Sequence, residues 1–136
     1  MRIAVLPGDG IGTEVMEQAV NVLCAVGKKY GREFGFESGL IGGAAFDACG
    51  EHFPAETLEL CKRSDAVLFG SVGGPVGAQD QPKWKDAERN AILGLRKALG
   101  LRINLRPAVV SPLLAHLSPV KPSIIGDGVD LLVVRE

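Results

Sequence analysis

Arg96, Arg106 and Arg135 each close an apolar stretch: Leu95-Arg96, Asn104-Leu105-Arg106 and Val133-Val134-Arg135. A guanidinium keeps its charge at any working pH and presents a rigid fork of donors. An arginine at the end of a buried element therefore suits bidentate capture of a small carboxylate. Taken singly, such an arginine more commonly lays its stem along the core and sends its head to water or a nearby acid. The other chemical candidates are thinner. Gly8-Asp9-Gly10-Ile11-Gly12 sits between a strand and a helix, where a dinucleotide fingerprint would sit, but Thr13 stands where the third glycine belongs, and Lys28 and Lys29 stand near the expected ribose-binding acid. The segment reads equally as a tight turn that needs positive-φ residues. There is no G-x-x-x-x-G-K-[ST] run, and no nucleophile–base–acid set can be assembled. Tyr30 falls at a helix end, His52 and His116 lie beside loop-like segments as solvated surface residues, and Cys24 and Cys61 fall on helix faces as core packing. With Cys49 the cysteines number 3, widely spaced and without a C-x-x-C pair, which excludes a disulfide framework or zinc knuckle and fits a reducing cytoplasm.

The elements that would position these residues are short and alternate in type. Ile3-Ala4-Val5-Leu6 is a buried strand stopped by Pro7-Gly8-Asp9-Gly10. A helix follows from Thr13, a cap or first-turn residue, with Val15, Ala19, Val22, Leu23 and Val26 as its apolar stripe, ending between Gly27 and Gly31. Residues 34–38 form a weaker strand, residues 41–47 have room for a short helix, and Pro54 opens a helix carrying Leu58 and Cys61 on one face. Ala66-Val67-Leu68-Phe69 is the next strand. Val76 to Ala87 is polar and aperiodic, a long surface loop holding the single tryptophan, Trp84. A helix from Glu88 to Leu99, a strand from Arg102 to Val110 with Pro107 at an edge or bulge, and a strand from Val129 to Arg135 complete the order. Strands separated by helices predict an α/β class with a largely parallel sheet.

Composition narrows the function. With 15 Lys+Arg against 16 Asp+Glu, the chain has no electrostatic footprint for nucleic acid or an anionic membrane surface. The apolar start is far shorter than the roughly 20 residues of a membrane span and too short for a signal-peptide core, so a soluble, cytoplasmic chain beginning at Met1 is expected.

Taken in order, Ile3 to Gly12, Gly42-Gly43-Ala44-Ala45, Ala66 to Pro75, Leu95-Arg96-Lys97, Asn104-Leu105-Arg106-Pro107-Ala108 and Val134-Arg135-Glu136 resemble the isocitrate/isopropylmalate dehydrogenase family, on the side of its 3-isopropylmalate dehydrogenases of leucine biosynthesis. The resemblance implies an α/β β-decarboxylating dehydrogenase fold unlike the Rossmann fold. Residues 1–100 would be the first part of the larger, cofactor-binding domain, and residues 101–136 the start of the second domain, which forms a homodimer. It implies oxidation of a 2-hydroxy dicarboxylate with NAD and Mg²⁺ or Mn²⁺, followed by loss of a carboxylate as CO₂; for 3-isopropylmalate the product is 2-oxoisocaproate. Arg96, Arg106 and Arg135 match the substrate-binding arginines, and the loop from Gly74 and Pro75 to Glu88 matches the segment bordering the nicotinamide. Isocitrate dehydrogenases place a serine just before the first of these arginines; here stands Ala91-Ile92-Leu93. Ile92 and Leu93 suit an isopropyl group, each buried CH₂ being worth about 0.8 kcal/mol, although they also suit simple packing of the helix. The catalytic tyrosine and lysine and the metal-binding aspartates are expected beyond Glu136, so the chain alone is expected to be inactive. The alternatives are a noncatalytic anion- or nucleotide-binding module, half of a split enzyme, or a related dehydrogenase with another 2-hydroxy dicarboxylate.

Overall fold

The computed structural model describes residues 1–126 and 128–135, and the chain divides into two compact units, Met1–Gly100 and Leu101–Glu136. Glu136, which closes the last of the sequence motifs, lies outside the described residues.

In the first unit, β1 (Arg2–Gly8) runs between β2 (Gly35–Ser38) and β3 (Ala66–Ser71), all parallel, in the order β2-β1-β3. The continuous apolar run of β1 reflects burial on both faces. Ile3 and Val5 pack with Met16 of α1 (Gly12–Tyr30), while Ala4 and Leu6 pack on the other side with Ile41, Leu60, Cys61, Ala91 and Leu95. Leu60 and Cys61 belong to α3 (Ala55–Arg63). Ala91 and Leu95 belong to a π turn (Arg89–Leu93) that continues into α4 (Gly94–Ala98). β1 also runs on through Pro7, beyond the expected stop. β2 ceases to pair at Ser38, so the missing N–H falls where β1 has one neighbour instead of two.

α1 is rotated from the expected stripe. Of that stripe Ala19 and Leu23 are half-buried, but Val15 and Val22 are 53% and 62% exposed, and the buried line runs through Gly12, Met16 and Gly27, with Val20 beside it. The reason is backbone contact: Gly12 comes so close to the Pro7 carbonyl and Ser71 that no Cβ would fit, which fixes the helix face. The same rotation leaves Cys24 exposed, against the expectation of core packing, whereas Cys61 is buried as expected. Thr13 lies in the first turn, and among the described residues no side chain caps the helix.

In the second unit, β4 (Asn104–Val110) and β5 (Val129–Arg135) pair antiparallel, so the parallel expectation holds only for the first unit. The register is unbroken from Asn104↔Arg135 to Val110↔Val129 and Pro107 sits opposite Leu132, so the proline marks an edge position and no bulge forms. A 3-10 turn (Pro112–Leu117) and α5 (Pro122–Ile125) lie between the two strands in sequence.

The turn after β1 is held by Asp9, which sequence reasoning takes only as part of a failed fingerprint. Asp9 is 6% exposed. Oδ2 accepts from the backbone N–H of Gly43 at 2.9 Å and of Gly73 at 3.2 Å, and Oδ1 accepts from Ala44 N–H at 2.9 Å. One side chain thus caps the start of α2 (Gly43–Cys49), although it lies 34 residues away in the chain, and ties it to the segment leaving β3. The backbone of Asp9 completes the knot: its N–H donates to Ser71 O and its carbonyl accepts from Ser71 Oγ, both at 2.7 Å. Gly42 meets this carboxylate at φ 73° and ψ −144°, a region essentially confined to glycine.

Asp9→Asn replaces one acceptor oxygen with a donor facing backbone N–H groups. We expect it to destabilise the protein by about 1–3 kcal/mol in urea unfolding, and an unchanged midpoint would contradict the cap. Burial also pushes the Cys61 thiol pKa up, while Cys24 and Cys49 are exposed. A chromogenic disulfide reagent should therefore titrate two thiols promptly in the native chain and the third only after denaturation; three prompt equivalents would contradict this core.

Candidate functional site

The segment leaving β3 is less free than its polar sequence suggests. Successive turns are closed by Ala78 N–H on Pro75 O, Gln81 N–H on Ala78 O and Trp84 N–H on Gln81 O. Trp84 is half-buried and lies against Gly74 on one side and Gly43 at the start of α2 on the other, both places where a Cβ would have no room. Lys83 bridges the same elements: its ammonium pairs with Asp47 of α2 and stands 4.7 Å from the centre of the Trp84 ring. The loop is therefore pinned at its C-terminal half, with Val76 fully exposed near the other end.

His52 corrects a second expectation. It is 7% exposed and has partners on both ring nitrogens. Nε2 lies 2.8 Å from Lys83 O, Nδ1 lies 3.3 Å from Asn90 Nδ2, and the ring stacks on Phe46 with centroids 5.0 Å apart. His116 is exposed, as expected.

Between the loop and the π turn lies a pocket of about 500 Å³, whose walls include Gly73, Trp84, Glu88, Arg89, Ile92 and Leu93. Three residues singled out from the sequence, Glu88, Ile92 and Leu93, are brought together here. Ile92 is half-buried against the main core and Leu93 is 55% exposed. Gly74 and Pro75 belong to the facing loop, Gly74 beneath the Trp84 ring. The expected helix from Glu88 is continuous, but directly after Glu88 it widens into the π turn before α4. Asp86 enters it with φ 57°, a conformation that asparagine and aspartate tolerate better than most residues. π turns widen a helix locally and recur at functional sites.

The three arginines are placed in two units. Arg96 lies in α4, half-buried, four residues beyond Ile92. Arg106 and Arg135 are exposed on the β4–β5 ribbon. Arg135 pairs with Asn104 and Arg106 with Val133, so both arginines share one face and stand diagonally across the pair, a relation of about 7–8 Å between Cα atoms in such ribbons. Among the described residues, none of the three forms an ion pair. Nor, among the described residues, do three His, Cys, Asp or Glu side chains gather into a possible metal site. Trp84, Arg89, His52 and Asp9 are contributions that sequence reasoning missed; the one signal available was that Trp84 is the single tryptophan in an otherwise polar loop.

Comparison with known proteins gives these features a context. The family model described as isocitrate/isopropylmalate dehydrogenase matches residues 2–136. The chain is 54% identical over 99% of its length to a 3-isopropylmalate dehydrogenase of Gloeobacter violaceus and 53% identical to one of Geobacillus kaustophilus, spanning 36% of each. Among solved structures it resembles the apo form of a β-decarboxylating dehydrogenase from Thermococcus kodakarensis, with TM-score 0.64 and 37% identity over 98% of this chain and 40% of that one. It also resembles the isocitrate dehydrogenase of Methylococcus capsulatus, with TM-score 0.72 and 28% identity over 99% of this chain and 34% of that one. The chain thus spans little more than a third of the curated relatives it matches. Across that span, both its motif order and its α/β fold make it a member of the isocitrate/isopropylmalate dehydrogenase family.

Proposed function

We propose that the chain supplies about a third of an NAD-dependent 3-isopropylmalate dehydrogenase, which oxidatively decarboxylates 3-isopropylmalate to 2-oxoisocaproate in leucine biosynthesis. The observation that carries this reading is the apolar wall of Ile92 and Leu93 on a pocket that also holds Glu88, with Arg96 one turn further along. A dicarboxylate bearing an isopropyl group can put its charge on guanidinium forks and its branch on that wall. A third carboxylate in place of the isopropyl group would lose its water against two aliphatic side chains. The names of the relatives support the same substrate.

In this proposal Arg96, Arg106 and Arg135 bind the substrate carboxylates, and Glu88 with the Gly74-Pro75 loop borders the cofactor's nicotinamide end. The pocket has room for one ring and its carboxamide, well within the range of roughly 300–1,000 Å³ of ordinary ligand sites. Bound NAD⁺ supplies the hydride acceptor. The half-buried Trp84 of the pocket wall would help to keep water from that ring, and Glu88 would accept a hydrogen bond from its amide. The divalent cation finds no donor set among the described residues, so Mg²⁺ or Mn²⁺ is not assigned ligands in this chain, and no step is routed through it. A soluble, cytoplasmic homodimer is part of the same proposal; among the described residues no helix is long and apolar enough to cross a membrane.

In the complete enzyme, NAD⁺ reduction followed at 340 nm should favour 3-isopropylmalate over isocitrate; the reverse preference would contradict the reading of Ile92 and Leu93. Arg106→Lys should lower kcat/KM on 3-isopropylmalate by about 10- to 100-fold, because a lysine cannot reproduce a bidentate fork and a charged hydrogen bond is worth about 1.5–3 kcal/mol. An unchanged kcat/KM would remove Arg106 from the substrate site.

A further inference from the structure

The buried histidine has a geometry that the dehydrogenase reading does not use. Its backbone carbonyl accepts the N–H of Gly42 at 2.8 Å, next to the Asp9 cap. Its ring reaches in two other directions: to Lys83 O in the loop, at 2.8 Å, and to the side chain of Asn90 in the π turn, at 3.3 Å. A carbonyl oxygen can only accept, so Nε2 carries the proton; Nδ1 is then left as the acceptor for the Asn90 amide N–H. Stacking on Phe46 of α2 holds the ring plane while both nitrogens are engaged. The residues it grips flank those that form the pocket: Lys83 precedes Trp84, and Asn90 lies between Glu88 and Ile92.

We propose that His52 is a positioning residue, a clamp fixed in its Nε2–H tautomer that joins the Trp84 loop to the π turn and so sets the width of the pocket between Trp84 and the Ile92–Leu93 wall. Without it the C-terminal half of the loop would keep the packing of Trp84 on Gly43 and Gly74 and the Lys83–Asp47 ion pair, which is weak because the Asp47 side chain is 60% exposed, and the Asn90 side chain would have no partner among the described residues. The consequence for substrate selection rests on the dehydrogenase reading. The clamp does not, and it is tested without substrate or cofactor.

Trp84 is the single tryptophan, so its fluorescence in the whole 136-residue chain reports the loop alone. His52→Leu keeps a side chain of similar bulk but removes both hydrogen bonds. It should raise the acrylamide quenching constant of Trp84 at least twofold while far-ultraviolet circular dichroism stays native. His52→Gln, which offers an N–H to Lys83 O and an oxygen to Asn90, should restore most of the original quenching. Unchanged quenching in a natively folded His52→Leu chain overturns the clamp, as does a Gln variant no better than Leu. The tautomer is read independently in the unsubstituted chain by ¹⁵N shifts of the His52 ring: a protonated Nε2 with a bare Nδ1 supports the clamp, and the opposite tautomer overturns it even if the Leu variant does not fold.

Discussion

Asp9 is a carboxylate almost wholly withdrawn from water, and what makes that tolerable is a set of three backbone N–H donors drawn from two segments that are otherwise strangers in sequence. A buried charge without such partners would cost several kcal/mol; with them it becomes a fixed point. Gly43 and Ala44 begin α2, and Gly73 begins the loop that carries Trp84. Everything on the loop side of the pocket is referenced to this point. Trp84 lies on Gly43 and Gly74, Lys83 reaches back to α2, and His52, a few residues beyond α2, takes hold of Lys83 and of the π turn. The requirement for glycine at 42 is a consequence of the same knot, since the chain must pass the carboxylate where no side chain fits.

The second unit meets a different constraint. A two-stranded ribbon with both faces exposed has little core of its own, and Arg106 and Arg135 place two like charges diagonally on one of those faces with no ion pair among the described residues. Like charges on one face of a ribbon are unfavourable, and an acid on the same face would offset them. The acid of β5 that could have done so, Asp130, falls opposite Val109 and hence on the other face.

Much of this is legible in the amino-acid sequence alone. The βαβ order, the short helix after Gly42, the strand at Val129–Arg135 and the interest of Glu88, Ile92 and Leu93 follow from periodicity, turn residues and resemblance. What stays hidden shares one cause: it depends on contacts between segments far apart in the chain. Two apolar lines on α1 fit a helical period equally well, and only the close approach of Gly12 to Pro7 and Ser71 chooses between them. His52 reads as surface because its partners sit 31 and 38 residues away, and Asp9 reads as turn chemistry because its donors lie near Gly43 and Gly73, at similar or greater distance along the chain. The π turn is invisible to a reading that assumes 3.6 residues per turn.

The central claim is that a single carboxylate fixes the origin of the pocket. It is tested most directly by amide hydrogen exchange resolved at Gly43, Ala44 and Gly73. The account predicts that all three amides are protected in the native chain, and that all three lose protection together in an Asp9→Ala variant while the amides of β1 and α1 keep theirs. Native amides at these positions that exchange as fast as those of an exposed loop would contradict it.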